Sequence, residues 1–162
     1  MVGESERHRR LLGEVAALYD WIEAELRAHP DQAGTCNACG KCCDFVGYDH
    51  LLFVTPPELI YLAEKLEVTS LREMDSGCCP YQDGTQCAVH AHRFAGCRIF
   101  CCTGDSAFQG QLTEAALKKL KAICVRFGLE YRYADLARAL TAFSSDHISR
   151  SAAESDPDPR AG

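Results

Sequence analysis

The chain of 162 residues carries 17 Lys and Arg against 23 Asp and Glu, a formal charge of -6. That length suits one domain with a modest core, and the acidic balance offers no basic field for a phosphate backbone, so nucleic acid is excluded as an expected partner. No uncharged apolar run approaches the roughly 20 residues needed to span a bilayer, which predicts a soluble chain with no membrane partner.

Glu4 to Ala28 reads as an amphipathic helix, because Leu11, Val15, Leu18, Tyr19, Ile22 and Leu26 recur at helical spacing among charges. Glu14 and Asp20 fall where the apolar segment of an export signal behind Arg9-Arg10 would have to lie, so no such signal is expected. Pro30 and Gly34 end the helix.

Phe45 to Val54 suggests a short extended segment from its aromatic and β-branched content. Thr55-Pro56-Pro57-Glu58 is a capping box with proline in the first turn, which predicts a helix from Pro56 to about Leu66. Between Cys78 and Cys102 neither periodicity persists, and loops with short helical turns pinned by metal are expected. Thr113 is placed to cap a helix in which Leu117, Leu120, Ile123, Cys124 and Phe127 share a face, with Gly128 ending it. A further short helix is predicted from Asp135 to Phe143, with Leu136 and Leu140 inward. Residues 1–143 therefore read as one mainly α domain with a loop-rich, metal-stapled centre, and 144–162, poor in apolar residues, as a disordered tail.

The unusual chemistry lies in the cysteines. Of the eleven, all but Cys124 fall between Cys36 and Cys102. An odd number without an export signal points to thiolates held by metal in a reducing, cytoplasmic compartment more than to a disulfide framework. Cys36, Cys39, Cys42 and Cys43 form the pattern CxxCxxCC. A CxxC unit lets two sulfurs converge on one ion, and a CxxCxxC run is how ferredoxin loops hold three corners of an iron–sulfur cluster. Remote candidates are Cys79, Cys87, Cys97 and the Cys101-Cys102 pair.

Closing so long a loop costs entropy that rises only with the logarithm of its length, whereas a structural zinc contributes about 10 kcal/mol or more. Neighbouring side chains in an extended segment point to opposite faces. The doublets Cys42-Cys43, Cys78-Cys79 and Cys101-Cys102 therefore either split between two centres or contribute one ligand each, and one centre and two both fit. Lys41, Arg93 and Arg98 are placed to offset thiolate charge, with Arg93 or Arg98 donating to a ligand sulfur or a supporting carbonyl.

These residues, with Cys79-Pro80, Cys87, Arg93 and Cys97-Arg98-Ile99-Phe100 in the same order, resemble the CxxCxxCC cysteine-cluster family, described as a zinc- or iron-chelating domain. The resemblance spans about residues 36 to 102. It implies that Cys36, Cys39, Cys42, Cys43, Cys79, Cys87 and Cys97 belong to the family's cysteine set, with Cys102 as the eighth. The chain departs from the family at Val89-His90, at Phe94 and at Cys101, the last two standing where proline is usual. A related cysteine region occurs in some protein lysine methylating enzymes.

His90 and His92 could supply a mixed zinc site, although surface or core roles are the commoner fate of such residues, and His8, His29, His50 and His147 read as surface. Cys124 reads as core. Paired carboxylates, a phosphate-cradling glycine loop and a GxSxG turn are all missing from the chain, so no catalytic residue is assigned. The expected function is metal binding, by zinc or iron, with an iron–sulfur cluster in an electron-transfer or accessory role first. A zinc-stabilised interaction module with a protein partner is the alternative, and an enzyme of methyl or electron transfer ranks third.

Overall fold

The first helix, α1, spans Glu4–Ala28 as the apolar spacing predicts, and buries Leu11, Val15, Leu18, Tyr19 and Ile22. The computed structural model describes residues 3–36, 43–45 and 51–143. The expected tail after Phe143, most of the expected extended segment before Leu51, and Cys39, Lys41, Cys42, His50 and His147 lie outside these residues. Pro30 does stop α1, but it also starts a single further turn, α2 (Pro30–Ala33), because proline at the first helical position costs no hydrogen bond.

Of the predicted extended stretch, Phe53–Val54 forms β1, while Phe45 sits in a turn. Thr55 then caps α3 (Pro56–Lys65), and the reciprocal capping box with Glu58 is closed. A two-stranded hairpin follows, β2 (Gln82–Asp83) with β3 (Gln86–Cys87), turning at Gly84 with φ of 60°. A 3-10 turn at His90–His92 leads into the short α4 (Ala95–Ile99).

The long helix α5 runs Ser106–Phe127, starting eight residues earlier than a cap at Thr113 would place it. Asp105 is the actual cap, its carboxylate accepting from the Phe108 N–H at 2.7 Å. Both residues are good N-caps; the earlier one wins because Leu112 is buried and Phe108 packs on the core, contacts that a start at Thr113 would leave unmade. Gly128 ends α5 in the left-handed conformation, φ 64°, as predicted. Arg7 donates to the carbonyl of Phe127 at that end. The chain closes through β4 (Ala134–Asp135), antiparallel to β1 with Phe53 opposite Asp135, into α6 over 136–143.

The fold is mainly α, and the helices pack on two apolar clusters. In the first, α1 meets α5, α3 and α4 through Val15, Ile22, Tyr61, Ile99, Ala116, Leu120 and Ile123. Leu52, Val54, Leu59, Leu62, Tyr81, Val89, Phe94, Leu136 and Leu140 make the second. α3 serves both, with Tyr61 on one side and Leu59 and Leu62 on the other. Cys124 is 1% exposed in α5, a core residue as predicted. No helix among the described residues is long and apolar enough to cross a membrane.

Candidate metal centre

The cysteine loop that opens at Cys36 is pinned at both ends to the later cysteine segment. At its far end Asp44 forms an antiparallel bridge with Cys78, closed by the N–H of Cys79 donating to the carbonyl of Cys43 at 2.8 Å and that of Phe45 to Gly77 at 3.0 Å. Opposed residues on an antiparallel ladder share a face, and successive residues alternate. Asp44 and Cys78 therefore project one way, and the Cys78 thiol donates to the Asp44 carboxylate at 3.6 Å. Cys79, the next residue on its strand, projects the other way, with its N–H on the Cys43 carbonyl.

That alternation separates the doublet Cys78-Cys79. Desolvation and then the Asp44 carboxylate push the Cys78 thiol pKa up. Cys79 instead packs against the second apolar cluster, as do Cys87, Cys97 and Phe45. Directly opposed side chains start from Cβ atoms about 4.5–5.5 Å apart. Four thiolates about 2.3 Å from a zinc ion lie roughly 3.8 Å from one another. Cys43 and Cys79 can thus reach one ion together.

From Cys79 the chain enters the β2–β3 hairpin, whose register sets Cys87 opposite Gln82, and the Gln82 N–H donates to the Cys79 carbonyl at 3.1 Å. Cys87 is thereby folded back toward Cys79. Cys97 arrives on α4, whose position is fixed by a carboxylate 37 residues upstream. Glu58 is 2% exposed, and its Oε1 accepts from the Ala95 N–H at 2.7 Å while its Oε2 accepts from the N–H and the hydroxyl of Thr55, both at 2.9 Å. One buried side chain caps α3 and holds the first residue of α4. Burial pushes its pKa up, against the hydrogen bonds from Ala95 and Thr55 that hold it down.

Two arginines brace the same turn. Arg93 donates to the carbonyls of His90 at 3.0 Å and Cys97 at 3.5 Å. Arg98 donates to the carbonyls of Arg93 at 2.9 Å and Ala91 at 3.0 Å, and its guanidinium lies 4.2 Å from the centroid of the Tyr19 ring. Glu23 sits between them, 3.3 Å from Arg98 and 3.8 Å from Arg93. The arginines therefore support carbonyls around Cys97, one of the two roles that the sequence suggests for them.

At the near end of the loop, Thr35 exchanges two hydrogen bonds with the Thr103 hydroxyl, each 3.1 Å, and the Asp105 N–H donates to the Gln32 carbonyl at 2.8 Å. Cys36 is thus set beside Cys101-Cys102. Cys36 and Cys102 are exposed, and Cys101 is half-buried.

His92 lies against the Tyr61 ring, 6.3 Å between centroids, and its Nδ1 is buried without a protein partner. The pKa of each imidazole is lowered, chiefly by Arg93 at His90 and by desolvation at His92.

Among the described residues no three His, Cys, Asp or Glu side chains are gathered into a ready-made ligand group. What the structure does bring together are the backbones of Cys43 and Cys79, those of Thr35-Cys36 and the 101–103 turn, and Cys79, Cys87 and Cys97 against one apolar cluster. The donor chemistry is all sulfur, which suits zinc and iron–sulfur clusters alike. Glu23, Thr35, Thr103 and the second hydrogen bond of Glu58 have no sequence signal, since each acts on a residue far along the chain. Comparison with protein-family models, with curated proteins and with solved structures finds no match to this chain.

Proposed function

We propose that this protein binds zinc or iron through cysteine thiolates drawn from the 36–43 loop and the 79–102 segment. The ligand set is Cys36, Cys39, Cys42, Cys43, Cys79, Cys87 and Cys97, with the last position taken by the Cys101-Cys102 pair. The observation that supports this reading most is the hydrogen bond from the Cys79 N–H to the Cys43 carbonyl, which ties the end of the first cysteine motif to the later cysteine segment. The resemblance to the CxxCxxCC cluster family supports the same set. The CxxCxxC run places an iron–sulfur cluster, with an electron-transfer or accessory role in a reducing cytoplasm, ahead of zinc.

A second reading, a zinc-stabilised interaction module, is supported by apolar surface beside the cysteine segment. Leu51 is 67% exposed, and the Phe53 and Tyr133 rings meet at 5.0 Å where they are also exposed. Purification under anaerobic conditions followed by absorption spectroscopy and metal analysis separates the two. Broad visible absorption with iron and inorganic sulfide supports the cluster. A colourless protein with stoichiometric zinc removes the redox reading.

A further inference from the structure

The doublet Cys101-Cys102 offers two thiols for one ligand position, and the chain around it is fixed closely enough to choose between them. The Cys101 sulfur lies 3.2 Å from the Thr103 hydroxyl. That same hydroxyl donates to the Thr35 carbonyl and accepts from the Thr35 N–H. One oxygen atom therefore connects the Cys101 thiol to the residue that immediately precedes Cys36.

The contact is held from outside the cysteines. The Cys101 carbonyl accepts from the Gln109 side-chain amide at 2.8 Å and from the Gly104 N–H at 3.0 Å, tying the turn to α5. Segments 32–35 and 101–105 touch so closely that only glycine fits. A Cβ at Gly104 would meet the Gln109 amide nitrogen at 2.1 Å and the Ala33 carbonyl at 2.8 Å, and one at Gly34, where φ is +78°, would meet the Gly104 nitrogen at 2.7 Å. Within the doublet Cys101 is half-buried, whereas Cys102, like Cys36, is exposed.

We infer that Cys101, and not the Cys102 favoured by the family pattern, is the ligand of this doublet, that it shares its centre with Cys36, and that Thr103, by tying the 101–105 turn to Thr35, is a positioning residue for the pair. The inference rests on the metal-binding reading proposed above and adds to it a neighbour pair, Cys36 with Cys101.

The test uses zinc alone as the probe. Zinc-loaded wild-type protein is pulsed with iodoacetamide, and each cysteine is followed by peptide mass mapping. Cys102 should label rapidly, while Cys101 and Cys36 are protected and lose that protection together when zinc is chelated. In competition against a chromogenic chelator, Cys101→Ser and Thr103→Val should each weaken zinc binding by about tenfold to a hundredfold, with Cys102→Ser close to wild type. Thr103→Ser, which keeps the hydroxyl, should restore binding. Protection of Cys102 in place of Cys101, or a loss confined to Cys102→Ser, would overturn the inference while leaving metal binding intact. If the wild-type protein binds no zinc under reducing conditions, the underlying reading itself fails for zinc.

Discussion

The N–H of Cys79 donates to the carbonyl of Cys43 at 2.8 Å, and this bond joins the end of the first cysteine motif to the later cysteine segment. Residues 36 positions apart in sequence become neighbours, and the adjacent Cys78 is turned toward Asp44 instead.

The first prediction follows from that alternation. Cys79→Ser should lower zinc or iron content and weaken zinc binding by at least about tenfold, since one of four tetrahedral ligands is lost. Cys78→Ser should leave both unchanged. Metal analysis of the two variants purified in parallel checks this, and equal losses would show that the bridge does not sort the doublet.

Arg98 supplies a second. Its side chain is only 9% exposed, reaches two carbonyls and Glu23, and stacks on Tyr19. A lysine has no planar fork to serve them together, so Arg98→Lys should cost about 1–3 kcal/mol in urea unfolding. Arg132, paired with Glu130 on the surface, should tolerate lysine within about 0.5 kcal/mol. Similar small effects at both sites would contradict the bracing role.

Glu58 gives a pH dependence whose sign is fixed. Its pKa is raised in the fold, chiefly by burial, so the folded state holds this proton more tightly than the unfolded chain does. The contribution to stability is then full below the ordinary carboxylate range and is lost as pH rises through the raised value. Glu58→Gln does not titrate and leaves one donor of Thr55 or Ala95 unmatched, a loss of about 1–3 kcal/mol at acid pH. The stability difference between wild type and variant should shrink as pH rises above the ordinary carboxylate range, read by urea unfolding across a pH series. A difference that grows with pH would refute the assignment.

Cys124 separates core from centre. It lies 1% exposed on α5, and burial pushes its thiol pKa up. Cys124→Ser should lower stability by about 1–3 kcal/mol, because a hydroxyl replaces an apolar thiol in the core. Metal content per chain should not change. Loss of metal in this variant would place Cys124 in the ligand set.

What could be read in the sequence is what short stretches determine by themselves. α1 keeps its predicted limits, and α3 starts at the Thr55–Glu58 box, because periodicity and capping act within a few residues. Gly128 and the inward Leu136 and Leu140 follow for the same reason. The start of α5 is misread because Asp105 and Thr113 cap equally well, and only packing of Leu112 and Phe108 chooses between them. The pairing of Phe53 with Asp135 and the reach of Glu58 to Ala95 are decided across long stretches of chain and leave no local trace. For the candidate site the sequence names the thiols; their sorting by face depends on a bridge between Asp44 and Cys78 that no spacing encodes.

The measurement that bears most directly on metal binding is native mass spectrometry of the anaerobically purified protein before and after treatment with a strong chelator. The account predicts a mass above that of the polypeptide by one or two zinc ions or by an iron–sulfur cluster, lost on chelation and regained when zinc, or iron with sulfide, is returned. The bare polypeptide mass in every sample, with no gain on reconstitution under reducing conditions, would contradict it.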